Sequence, residues 1–274
     1  MRHLVYIGDA RVDAVPADGR GVAYGDGLFE TMRVHRGAVH WRDAHWARLE
    51  AGARRLRLAL PDRRLVEAQA DALLHGKPDA LLKLIVMRGA GGRGYAPASA
   101  ADPVWILSRH ALPAPSRAGG LVLRWCDTRL ALQPMLAGIK HCNRLEQVMA
   151  RGEWQDEAID EGLMRDTNGN VVCATAANVF VLRDGNWTTP PVEHCGIAGV
   201  CRAWAVTALE AGIAPLSVAQ LESADAVFLC NAARGILPVA RLGARSWLPH
   251  RAVADAMRRL ADAHPAFADS LENS

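Results

Sequence analysis

The chain has 274 residues, 50% hydrophobic and 22% charged, which is enough for one large domain or two of ordinary size with buried cores. Its 32 Lys and Arg against 29 Asp and Glu leave a net charge of only +3. The bases are scattered among acids, which excludes the gathered basic surface of a nucleic-acid binder. No apolar run approaches the roughly 20 residues that cross a bilayer, so neither nucleic acid nor a membrane is an expected partner.

The six cysteines, at 126, 142, 173, 195, 201 and 230, include no Cys-x-x-Cys pair. Neither they nor the ten histidines show zinc-site spacing, so no metal is expected. Free thiols and the absence of a signal-peptide pattern point to a cytoplasmic protein.

Taken in order, HLVYIGDARV reads as a hairpin turned at Gly8-Asp9. Gly25-Asp26-Gly27 marks a bend, Phe29 to Val34 a strand, and Arg36-Gly37 a turn into Ala38 to Trp41. Asp43 is placed to cap a helix whose apolar face carries Trp46, Leu49, Ala53 and Leu56. Arg48 lies off that face, and its spacing alone does not separate it from a solvated arginine. A second helix is expected within Arg63 to Leu74 and a buried strand from Leu81 to Met87.

Arg88 to Pro97, RGAGGRGYAP, holds four glycines flanked by Arg88, Arg93 and Tyr95. It reads either as a flexible connection or as a loop whose arginines hold a carboxylate bidentately. Val104 to Ser108 is a further strand, and the Pro-, Gly- and Ala-rich Ala111 to Gly120 is the best linker candidate. The division expected is an N-terminal domain at 1–112, a linker at 113–120 and a C-terminal domain at 121–274.

Leu121 to Cys126 resumes as a strand, and LAGIKHCNRLEQV, Leu136 to Val148, follows. Only three of the basic residues are lysines: Lys77, Lys83 and Lys140. Arginine stays protonated and forms no imine, whereas a lysine amine can lose its proton and attack a carbonyl. Lys77 sits in a Gly-Lys-Pro turn and Lys83 opens an apolar run, so Lys140, just before a helix start, is the candidate for chemistry. Asn168-Gly169 then signals a turn, with strands at Val171 to Cys173 and Asn178 to Leu182 and another turn at Asp184-Gly185. His194 to Ile213 enters a helix through glycines, a ready anion site. Ala224 to Cys230 is a strand, and an amphipathic helix and a polar tail end the chain.

Together these segments resemble the fold type IV pyridoxal-phosphate enzymes over nearly the whole chain. Arg88 to Tyr95 and Ala137 to Val148 are the specific stretches, and the first resembles the lyase branch of that fold. Weaker marks are Arg48-Leu49, Ala176 to Phe180 and Gly199 to Arg202. The resemblance implies an α/β (α+β) fold of two domains with pyridoxal 5'-phosphate in the interdomain cleft, in a homodimer. It implies conversion of 4-amino-4-deoxychorismate, a small dicarboxylate, to 4-aminobenzoate and pyruvate in folate biosynthesis.

Residue by residue, it implies that Lys140 joins the cofactor aldehyde and moves protons. Arg48 and the backbone amides of Val200 and Cys201 would hold the phosphate, with Asn231 where the family often has a threonine. Asn178 and Cys173 would also line the cofactor. Arg33, Arg88 and Arg93 would take substrate carboxylates, and Tyr24 and Thr31 would line the pocket. One position departs: the family has a glutamate against the pyridine nitrogen where this chain has Cys173. A thiol is a weak partner for that nitrogen. This keeps two alternatives open, a D-amino-acid or branched-chain aminotransferase of the same fold, and a cofactor-binding protein with impaired catalysis.

Overall fold

A computed structural model describes residues 3–91, 94–97 and 101–270. The chain divides into two compact units, Met1–Leu112 with Ile139–Asn143, and Pro113–Gly138 with Arg144–Ser274.

The first unit contains β1 (His3–Ile7), β2 (Ala10–Val12), α1 (Arg20–Tyr24), β3 (Gly27–His35), β4 (Ala38–Val39), α2 (Arg42–Leu56), α3 (Arg63–Leu74), β5 (Ala80–Met87) and β6 (Val104–His110). Its six strands form one antiparallel sheet in the order β2-β1-β6-β5-β3-β4. Strict alternation sets its faces. In β3, Leu28, Glu30, Met32 and Val34 are buried, while Phe29, Thr31, Arg33 and His35 are half-exposed.

Helix α2 begins two residues earlier than the sequence suggests. Trp41, in the left-handed region at φ 53°, is its N-cap, and Asp43 lies in the first turn, paired with Arg63. A carboxylate there suits the positive end of the helix dipole. The buried stripe runs through His45, Leu49, Gly52 and Ala53. It is rotated toward His45 from the expected face, so Trp46 and Leu56 are only half-buried.

Lys140 is where the sequence division needs correcting. Ile139–Asn143 belongs to the first unit, not to a domain beginning at 121. The cause is a short ladder: Phe29 N donates to Lys140 O at 3.0 Å, and Cys142 N donates to Gly27 O at 2.9 Å. Leu28 and His141 form the bridge between them. A backbone whose polar groups are matched by β3 is held at a fixed register.

The second unit contains β7 (Leu121–Leu130), α4 (Leu145–Arg151), β8 (Glu161–Asp166), β9 (Val171–Ala174), β10 (Asn178–Arg183), β11 (Asn186–Thr189), α5 (Val200–Ala208), β12 (Gly212–Ile213), α6 (Val218–Glu222), β13 (Ala226–Asn231), β14 (Gly235–Leu242), β15 (Arg245–Ser246) and α7 (Arg251–Ala263), then a 3-10 helix (Pro265–Ser270). The sheet runs β12-β11-β10-β13-β14-β7-β8-β9, and β9 also pairs with β10, closing a ring of six strands. One core cluster draws alternate residues from that ring, including Leu121 and Leu123, Val179 and Val181, Val227 and Leu229, and Leu237 and Val239. Strands β8 and β14 went unread in the sequence, as did helices α1 and α6.

Candidate functional site

In the first unit, Lys140 stands over the half-exposed face of β3. Its Nζ lies 4.1 Å from the Phe29 ring centroid. Lys83, directly opposite Thr31 in register, places its own Nζ 5.4 Å from the same ring. Thr31 and Arg33 share that face of the strand. The register is fixed upstream as well: Asn143 Nδ2 donates to Gly25 O at 3.0 Å. Gly25 has φ 62°, and a Cβ there would sit 2.9 Å from the Asn143 amide oxygen. Both the left-handed backbone and the close approach require glycine.

On the other face of β3, Glu30 is buried and meets two residues of α2. Arg48 Nε donates to Glu30 Oε1 at 2.9 Å, Arg48 Nη2 to Oε2 at 2.5 Å, and His45 Nδ1 lies 2.6 Å from Oε2. Burial opposes ionisation of Glu30. The Arg48 charge, the His45 hydrogen bond and the Arg48 hydrogen bonds outweigh it and hold the carboxyl at about 2. Burial pushes His45 below its ordinary value despite Glu30, so its imidazole is neutral at pH 7. Arg48 is therefore not a solvated arginine. The sequence reading missed Glu30 and His45, although alternation along β3 puts a carboxylate among core residues.

A second arginine cluster anchors the glycine-rich loop. Arg20, from α1, donates to Asp26 Oδ2, Gly94 O and Tyr95 O, each at 2.9 Å. Arg88 Nε donates to Asp26 Oδ2 at 2.9 Å, and its Nη1 and Nη2 donate to Arg57 O and Leu56 O, each at 2.7 Å. Against burial, the two arginines lower the Asp26 pKa. Arg88 is thus a correction: its guanidinium fastens the base of the loop to the end of α2 and is not presented to a substrate carboxylate. Tyr24 is 40% exposed, with its ring 5.5 Å from that of Tyr95. Arg93 lies outside the described residues.

In the second unit, Gly199 caps α5 without any side-chain cap, and the helix's own bonds begin with Ala203 N to Gly199 O at 2.9 Å. The amides of Val200 and Cys201 therefore point out of the helix N-terminus. Asn178, buried on β10, donates through Nδ2 to Ile197 O at 2.9 Å. A Cβ at Gly199 would fall 2.1 Å from Asn178 Oδ1, so only glycine lets the helix start come this close. Gly138 holds the same approach, with Gly138 N bonded to Gly196 O and Ala198 N to Gly138 O, each at 2.9 Å. Asn231 Oδ1 accepts from Ala233 N and Arg234 N at 3.0 and 2.8 Å, and its Nδ2 donates to Ala176 O at 3.2 Å.

Cys173 pairs in register with Asn178 and lies in a core cluster with Cys126 and Cys195. Burial, followed by Cys195 and Glu161, pushes its thiol up to about 12. The nearby acid that sequence reasoning missed is Glu161, at the start of β8. Thr175 Oγ1 donates to its Oε1 at 2.5 Å, and Gly162 N donates at 2.8 Å. Burial raises the Glu161 pKa. Among the described residues, no group of three or more His, Cys, Asp or Glu is placed to hold a metal ion, and no helix is long and apolar enough to cross a membrane.

The first unit offers an amine and a mostly buried arginine, and the second a bare helix N-terminus; each is a group that can take one part of a phosphorylated aldehyde. The family model described as amino-transferase class IV matches residues 27–242, and the chain belongs to that family. Within it, the chain is 35% identical over 239 residues to an aminodeoxychorismate lyase of Vibrio harveyi, covering 84% of this chain and 88% of the relative. It is similar to the crystal structure of 4-amino-4-deoxychorismate lyase from Pseudomonas aeruginosa, with 41% identity and a TM-score of 0.87 over 94% of this chain and 98% of that one. A putative branched-chain-amino-acid aminotransferase of Methanocaldococcus jannaschii is 30% identical over 82% of this chain and 81% of its own length.

Proposed function

We propose that the protein is an aminodeoxychorismate lyase that uses pyridoxal 5'-phosphate to convert 4-amino-4-deoxychorismate to 4-aminobenzoate and pyruvate. The observation that carries this reading is the identity of 35% and 41% to two lyases over most of all three chains, with a lysine fixed by its backbone on β3. Lys140 is the attachment point, and Arg48 and the Val200 and Cys201 amides hold the phosphate, with Asn178 and Asn231 shaping the turns around it. Cys173 stands at the ring end.

Bound pyridoxal phosphate supplies an electron sink for the substrate amine. Lys140 Nζ acts as the base that removes the proton from the ring carbon bearing that amine. Lys140 Nζ then returns that proton to the methylene of the departing enolpyruvyl group, whose bond to the ring breaks; it becomes pyruvate while the ring becomes aromatic. Thr31 and Arg33, on Lys140's side of β3, are the substrate contacts this reading keeps, together with Tyr24 and, from the sequence, Arg93. Arginines on the carboxylates hold the leaving group in line. A neutral thiol at Cys173 suits this elimination better than a transamination, because aromatisation lowers the demand on the sink.

The protein is read as a cytoplasmic homodimer. Support comes from its six free cysteines and from the exposed apolar residues Met135, Leu145, Val148 and Met149 on and before α4. Enzymatically prepared 4-amino-4-deoxychorismate, incubated with the holoenzyme, should yield 4-aminobenzoate and pyruvate in equal amounts. Amino transfer from a D- or branched-chain amino acid to a keto acid, without 4-aminobenzoate, would establish the aminotransferase instead. Cofactor binding with neither reaction would mark a binding protein.

A further inference from the structure

Glu30 is held at three points, and the third has no role in the reading above. Its Oε1 and Oε2 take the fork of Arg48, a geometry that still lets the two planar groups rock together. His45 Nδ1, 2.6 Å from Oε2, removes that freedom. His45 and Arg48 stand three residues apart on α2, so they lie on neighbouring helix turns and one carboxylate from β3 reaches both.

The far side of the imidazole fixes which nitrogen carries the proton. His45 Nε2 is buried with no hydrogen-bond partner. The ring lines a cavity of about 30 Å³ walled by Met32, Leu49, Leu82 and Leu84, with room for a water or two at most. A proton on Nε2 would be a donor buried without an acceptor, whereas Nδ1–H has Glu30 to receive it.

We propose that His45 is a positioning residue whose neutral Nδ1–H tautomer locks Glu30 and, through it, sets Arg48 in the orientation that receives the cofactor phosphate. The inference rests on the assignment of Arg48 to that phosphate. A free arginine side chain loses much rotamer freedom on binding an anion, and a fork fixed during folding avoids most of that loss at the binding step.

The test compares apo-protein binding of pyridoxal 5'-phosphate with binding of pyridoxal, which has the same aldehyde and no phosphate. His45→Leu should weaken the phosphorylated ligand about tenfold and leave pyridoxal unchanged, the size expected for one immobilised long side chain. His45→Asn should restore the preference, because its amide N–H replaces Nδ1–H. Equal weakening of both ligands, or of neither, overturns the proposal. Imidazole 15N shifts of the wild-type protein should report the Nδ1–H tautomer, and an Nε2–H tautomer also overturns it. That measurement decides the matter if His45→Leu does not fold. Arg48→Leu in the same titrations separates the two ideas. If it abolishes the phosphate preference while His45→Leu does not, only the positioning role fails. If it leaves the preference intact, the Arg48 assignment itself fails.

Discussion

A buried glutamate in one unit and a half-buried one in the other are driven in opposite directions. Glu30 and Glu161 both lose their water, and burial is the largest influence on each. Glu30 faces the Arg48 guanidinium and the His45 ring and stays ionised, with its pKa near 2. Glu161 faces a hydroxyl and backbone amides, and its pKa rises. Hydrogen bonds from neutral donors do not offset desolvation here; a full opposite charge does. The first glutamate fixes an arginine, and the second braces the turn after Cys173.

The largest difference should appear on neutralising each. Glu30→Gln leaves the Arg48 charge buried beside an amide and should destabilise the fold by about 3 kcal/mol in urea unfolding. Glu161→Gln keeps an acceptor for Thr175 and should cost less than about 1 kcal/mol. A reversed order would break the comparison.

The pH dependence should then have opposite signs. Glu30 has a folded pKa below its unfolded one, so its stabilisation is present above about 4.5 and is lost as pH falls toward 2. A shift of that size corresponds to about 3 kcal/mol between pH 5 and pH 2, read as the difference between wild type and Glu30→Gln. His45, with its folded pKa lowered, adds to the acid loss below about pH 6.5. Glu161 has a raised folded pKa, so its contribution is present below about 4.5 and fades as pH rises. Relative to Glu161→Gln, the wild type should lose stability from pH 4 to pH 8.

The smallest effect concerns the thiol beside Glu161. With its pKa near 12 and its side chain buried, Cys173 should resist iodoacetamide at pH 8 in the native protein and react once the chain is unfolded in urea. Rapid native labelling would mean an exposed thiolate at that position.

Much of this arrangement was legible in the sequence because it follows local rules. The β3 and β5 strands, the α2 and α3 helices and the Gly-led start of α5 announce themselves by periodicity and punctuation. Lys140 stood out because arginine cannot do its chemistry. Glu30 was legible in principle, since alternation places it with Leu28 and Met32, and a carboxylate there requires a partner. Arg20 and Arg88 were not, because each is defined by carbonyls remote in sequence, at Gly94 and Tyr95 and at Leu56 and Arg57. The Ile139–Asn143 stretch was misplaced for the same reason: its ladder partner lies more than a hundred residues upstream in β3.

The central claim is that Lys140 carries the cofactor, and the chain's small number of lysines makes it directly testable. Borohydride reduction of the holoenzyme followed by peptide mapping should place the pyridoxyl group on Lys140 and on neither Lys77 nor Lys83. A label on Lys83, which shares the Phe29 ring with Lys140, or undiminished labelling of Lys140→Ala protein, would contradict the account.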